Sequence, residues 1–151
     1  MLSVRLVRLI EDHAEELTRG LLDDLMTNAR TPAYHKISHA ELHHRTYDVY
    51  RHLGQWLGHT TDESIEATYR DLGKRRFAEG IRLSEVVYAL TLAKYHLREF
   101  IRTRGLVDSA MELYQEQELQ RLVGRFFDRA IYYTIRGYES VAAQRETAAA
   151  T

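Results

Sequence analysis

Residues 35–59 read "HKISHAELHHRTYDVYRHLGQWLGH" and hold six of the chain's eight histidines. Imidazole is the commonest protein metal ligand, so a cluster of this density raises a metal or haem centre. The test is angular. On a helix starting at Ser38 and ending near Gly58, Leu42, Val49, Tyr50, Leu53, Trp56 and Leu57 share one apolar arc at 100° per residue. His44, His52 and His59 fall on the opposite, solvent-facing side. His52 and His59 stand about 10 Å apart along the axis, too far for one ion. His39 and His43 are four apart and could share a metal edge, but two ligands do not close a shell. "ELHH" at 41–44 is one Glu-x-x-His motif, whereas a di-iron bundle needs it twice with further glutamates, and no second copy occurs. The expectation is no metal, no haem and no other cofactor.

Other polar residues interrupt apolar stripes. His13 lies with Leu6, Leu9, Ile10, Leu17 and Leu21, and Asp24 occupies the same stripe three turns on. Arg76 falls beside Ile65, Tyr69 and Leu72; near a helix end it can complement the dipole or snorkel outward. Tyr88 and Tyr95, two turns apart, share a second side of their helix and can pack in a core or line a pocket. His13, Asp24, Arg76, Tyr88 and Tyr95 are therefore the candidates for a polar cavity or ligand-binding site. Arg76 is expected to pair with an acid, first Asp24, with a helix-end carbonyl as fallback.

No G-x-S-x-G, P-loop, G-x-G-x-x-G or H-E-x-x-H motif occurs. Cysteine is absent, which removes disulfides, thiolate chemistry and iron–sulfur clusters. Most carboxylates fall on polar helix faces. The chain is not expected to be an enzyme, and no catalytic residue is assigned.

The elements that carry these residues are helical throughout. The chain has 151 residues, a single proline, Pro32, and few glycines. Its pattern predicts an all-α, five-helix bundle forming one domain over residues 1–144, with a flexible tail at 145–151. The helices run from about Ser3 to Ala29, from the capping box "SHAE" at 38–41 to Gly58, and from "TTDE" to a C-cap at Gly80. A fourth, capped by Ser84, ends at Gly105, and a long fifth, capped by Asp108, continues to Gln144. With 21 basic and 22 acidic residues, the chain has no electrostatic case for nucleic acid or an anionic membrane. No run of about 18 apolar residues could span a membrane. "MLSVRLVRLIEDH" is too charged for a signal peptide, so the expected location is cytoplasmic.

The fifth helix has an apolar arc that sweeps about half its circumference, wider than the roughly 100° a surface helix needs. A second copy of the chain is the simplest partner for the surplus. The expected homodimer interface comprises Leu119, Leu122, Val123, Phe126, Phe127, Ala130, Tyr133 and Val141.

"LGKRRFAEGIRLSEVVYALTLAKYHLREFI" at 72–101 and "GRFFDRAIYYTIRGYESV" at 124–141 resemble the N-terminal sensor domain of the RsbT co-antagonist (RsbRD-type) proteins of bacterial stressosome signalling. Gly73, Arg76, Gly80, the "LSEVV" helix start and the "FFDRAIYYTIRGYE" ending carry the resemblance, and the helix spacing extends it over most of the chain. It implies a dimeric, globin-like bundle, usually without haem, that passes a signal to an attached output module. The phosphorylatable antagonist module of that family is absent from these residues, so the expectation is either an excised sensor domain or a stand-alone relative whose output is an unidentified signalling protein. The first functional expectation is a non-catalytic sensory domain acting through dimerisation and its last helix. The alternatives are a small-molecule or haem-binding protein using His13, Arg76 and the tyrosines, and a metal-dependent bundle enzyme.

Overall fold

The computed structural model describes residues 3–105 and 107–150. Met1 and Leu2 of the charged N-terminal stretch, and Thr151 of the expected tail, lie outside them. The described residues form α1 (Val4–Asp12), α2 (Ala14–Thr27), a 3-10 turn (Pro32–Lys36), α3 (His39–Arg51), α4 (Leu53–Gly58), α5 (Asp62–Ala78), α6 (Leu83–Arg104) and α7 (Ala110–Ala150). The chain is all-α with a long C-terminal helix, as its sequence predicts. The expected five helices are seven among the described residues, because the first and second each break once.

Both breaks fall on a histidine. His13 has φ −108° and ψ 19°, and His52 has φ −116° and ψ 32°. At each, ring Nδ1 lies on the carbonyl four residues back, 2.7 Å from Leu9 O and 3.1 Å from Asp48 O. A side chain that takes the carbonyl of residue i−4 offers the backbone an alternative to the helical ladder. That holds at His13, whose N–H turns instead to Ile10 O at 3.0 Å, whereas the His52 N–H keeps Asp48 O at 3.2 Å beside the ring. Apolar periodicity misses such a break, since one non-helical residue scarcely shifts the phase of the stripe.

The caps also refine expectation. The Ser38 hydroxyl accepts from the Glu41 N–H, but the Glu41 carboxylate turns into the bundle rather than back to the cap. α6 begins at Leu83 with Arg82 as its N-cap, not Ser84. At the start of α7 the capping oxygen is that of Ser109, accepting from Glu112 N–H at 3.2 Å, and not Asp108. Gly80 does close α5. Its φ of +74° lets its N–H reach Phe77 O while the Ile81 N–H reaches Arg76 O, a Schellman ending.

α5 packs most extensively on α7, running parallel to it, whereas α3 packs chiefly on α2. One core cluster joins α1, α4, α5, the second half of α6 and α7, with Leu17 of α2 and Tyr50 of α3, around Ile65, Tyr69, Leu97 and Phe126. A second joins α2, the 3-10 turn and the first half of α6 around Leu22, Tyr34 and Val86.

This packing corrects the expected dimer stripe. Leu119, Val123, Phe126, Phe127 and Ala130 are buried in the chain's own core, and Leu122, Tyr133 and Val141 are half-buried. The wide arc of α7 is consumed by its own bundle, because α4, α5 and α6 all contact it. Past Val141, α7 continues to Ala150 with residues 143–150 exposed, so residues 145–150 of the expected flexible tail are helical. Its alanines and charged residues are strong helix formers.

Candidate functional site

Because α3 leans on α2 and α5 on α7, a cleft remains between α3 and α5, and below it lies a cavity of about 360 Å³. Its floor is apolar, drawn from α2, α5, α6 and α7 through residues such as Leu21, Leu72, Leu90, Ala93 and Phe127. Four aromatic residues, Tyr34, Tyr50, Trp56 and Tyr69, complete the wall, and exposed His44 stands at the rim with Arg45 and Arg75.

Arg76 borders this cavity and is the most buried charge of the protein, at 2% exposure. One Nη2 bridges both Glu41 oxygens at 3.2 and 3.1 Å, and Nη1 holds Glu79 Oε1 at 2.7 Å. Its Nε has no hydrogen-bond partner among the described residues. The Tyr34 ring lies 5.6 Å from the guanidinium carbon. An isolated buried guanidinium would be prohibitive, so the two carboxylates and the π face are the condition for its presence.

Glu41 is shared by three arginines: Arg76, Arg45 one turn along α3, and Arg75 at 3.8 Å. Arg45 also reaches Asp71 on α5 at 3.7 Å. These ion pairs, rather than close helix packing, tie α3 to α5. Burial pushes the Glu41 carboxyl up, but Arg76 and Arg45 together hold it below the ordinary glutamate value of 4.5. Burial likewise opposes the charge on Arg76, yet Tyr34, Glu79 and Glu41 leave it more firmly protonated than usual. Burial pushes the Tyr34 hydroxyl up to about 12 and raises Tyr50 and Tyr69 further, so all three stay neutral donors. Tyr50 donates to Ala93 O at 2.8 Å.

Of the five sequence candidates, the cavity receives only Arg76. Its acidic partners are Glu41 and Glu79, and not Asp24. Asp24 faces α6, where His96 Nε2 lies 2.8 Å from Oδ2 and Asn28 donates to Oδ1 at 3.1 Å. The His96 hydrogen bond holds the Asp24 carboxyl below its ordinary 3.8. Tyr88 accepts from Arg30 at 3.1 Å, and Tyr95 is 56% exposed. His13 sits at the α1–α2 break, its ring 5.7 Å from that of Phe100. It does not line the cavity, and its Nδ1 is engaged by Leu9.

Glu41, Tyr34, Trp56 and Tyr69 were missed as site residues. Glu41 carried a misleading signal, since its place three residues after Ser38 suits a capping box. Tyr34 gave none, being in a short 3-10 turn without periodicity. No group of three or more His, Cys, Asp or Glu side chains forms a metal-binding cluster among the described residues.

The outward face of α7 forms an open groove with α6, lined by Arg98, Arg121, Gly124, Arg125 and Tyr132. Met111, Tyr114 and Tyr132 are large exposed apolar side chains on the same helix.

One family matches the chain, over residues 15–151: the RsbT co-antagonist protein rsbRD N-terminal domain. No curated protein and no solved structure matches it.

Proposed function

Because the chain belongs to the RsbT co-antagonist protein rsbRD N-terminal domain family, we propose that it is a non-catalytic sensory domain of bacterial stressosome-type signalling. A change at the α3–α5 cleft is the input, and α7 is the output. One observation carries the coupling. α5 bears Tyr69, Leu72 and Arg76 on the cavity, and between them Gly73 meets α7 backbone to backbone. A displacement of α5 therefore cannot be absorbed by side-chain rotation; α7 has to follow.

The same domain acts as a homodimer in this proposal, with an unidentified signalling protein as the recipient. The surface available for self-association is the exposed ridge of α7 around Tyr114 and Tyr132, since the inner stripe is already covered. No helix among the described residues is long and apolar enough to cross a membrane, which fits the cytoplasmic location the proposal assumes.

Hydrogen exchange of α7, compared between the unaltered chain and Glu41→Gln, tests the coupling. Weakening the α3–α5 tie is expected to speed exchange at residues 126–141 as well as on α3. Faster exchange confined to α3 would refute the coupling. Light scattering at tens of micromolar tests the dimer, and a stable monomer would refute that part.

A further inference from the structure

We infer that the cavity between α3 and α5 is a binding site for a small, uncharged aromatic molecule carrying one hydrogen-bond acceptor such as a carbonyl oxygen. Three properties of the wall select this class. The first is size: a volume of about 360 Å³ lies at the small end of the roughly 300–1,000 Å³ typical of ligand pockets. The second is the wall's composition. Trp56, Tyr69 and Phe127 border the space, and Trp56 and Tyr69 already meet edge-on at 6.2 Å between ring centres. An aromatic ligand extends that geometry at little cost in side-chain freedom.

The third is charge and donor balance, which decides against an anion. Arg45, Arg75 and Arg76 pair with Glu41, Glu79 and Asp71, three positive groups against three negative ones. No arginine among these is left to compensate an incoming carboxylate, and a buried anion without a counter-charge is costly. What the wall does hold is donor capacity in neutral surroundings. The Arg76 Nε–H is buried with no partner among the described residues, and its side chain borders the cavity. A guanidinium can only donate, so the complementary group is an acceptor. Entry lies past His44 and the two arginines Arg45 and Arg75, whose ion pairs cross the cleft without close helix-to-helix packing behind them.

The experiment uses acetophenone as the neutral probe, benzoate as its charged counterpart and toluene as the analogue without an acceptor. Trp56 is the chain's sole tryptophan, so its fluorescence reports on the wall directly. Acetophenone is expected to quench it saturably, with affinity at least about tenfold above benzoate and toluene. Ala93→Leu, which fills the floor, should weaken acetophenone by at least about tenfold while the circular-dichroism melt stays cooperative. Should that variant unfold, nuclear Overhauser contacts from the probe methyl to Trp56 and Leu90 in the unaltered chain decide the matter. Non-saturable quenching without such contacts would overturn the site. Benzoate binding as tightly as acetophenone would overturn the ligand class. Binding stands apart from signalling here: a bound probe that leaves α7 exchange unchanged keeps the site and counts only against the coupling.

Discussion

Gly73 of α5 and Gly137 of α7 lie where two helix backbones touch. A Cβ on Gly73 would stand 2.0 Å from Thr134 O, and one on Gly137 would stand 2.1 Å from Arg70 O. Backbone atoms cannot rotate aside, so even alanine forces the helices apart. Gly73→Ala and Gly137→Ala are each expected to cost about 3 kcal/mol, the upper end of overpacking penalties. Gly58, whose added Cβ would meet nothing within 4 Å, is the control. Urea melts of the three variants check it, and a loss at Gly73 no larger than at Gly58 would contradict the close crossing.

Arg76 and Glu41 should behave as a coupled pair. Glu79 still faces Arg76 when Glu41 is neutralised, and Arg45 still faces Glu41 when Arg76 is removed, so Arg76→Met or Glu41→Gln is expected to cost about 1.5–3 kcal/mol, the worth of a hydrogen bond to a charged group. The double variant should cost clearly less than the sum. Asp24→Ala combined with Arg76→Met should instead be additive within about 0.5 kcal/mol. Denaturant double-mutant cycles measure both, and coupling of Arg76 to Asp24 but not to Glu41 would reverse the assignment.

Acid should loosen the α3–α5 and α2–α6 ties together. The folded carboxyls of Glu41 and Asp24 are depressed below 4.5 and 3.8. Above those values their contribution is fully present. Below them the unfolded chain binds more protons than the folded one, so stability falls as pH drops toward the folded values. Unfolding free energy, measured between about pH 5 and pH 3, should therefore decline, and less steeply in Glu41→Gln. An equal slope in that variant would remove Glu41 from the account.

The two faces of α7 should respond differently to a charge. Phe126 is 1% exposed and packs edge-on to Trp56 and Tyr69, so Phe126→Glu is expected to prevent folding rather than release a monomer. Tyr132 is 58% exposed, and Tyr132→Glu should leave the melt unchanged while shifting light scattering from dimer to monomer. A folded Phe126→Glu monomer would restore the inner stripe as the interface.

Much of this protein could be read from the order of its residues. Helical periodicity, a lone proline and few glycines determine an all-α chain, because the apolar arc of each helix is a local property. The family could be named from "LGKRRFAEGIRLSEVV" and "FFDRAIYYTIRGYE" for the same reason, as the glycines and aromatic residues of α5–α7 stand at fixed local spacing. Arg76 was recognisable as a misfit on an apolar face. Its partner on α3 was not, since Glu41 is 35 residues away and Asp24 is as plausible by helix phase alone. The breaks at His13 and His52 each consist of one residue with non-helical backbone angles, which periodicity does not encode. Tertiary packing also decided what α7 covers. An apolar arc states how much surface must be buried, while the identity of the neighbour depends on how α4, α5 and α6 are arranged around it. The cavity belongs wholly to that level. It exists because α3 and α5 each found a better partner elsewhere, and a space between two helices is a property of neither.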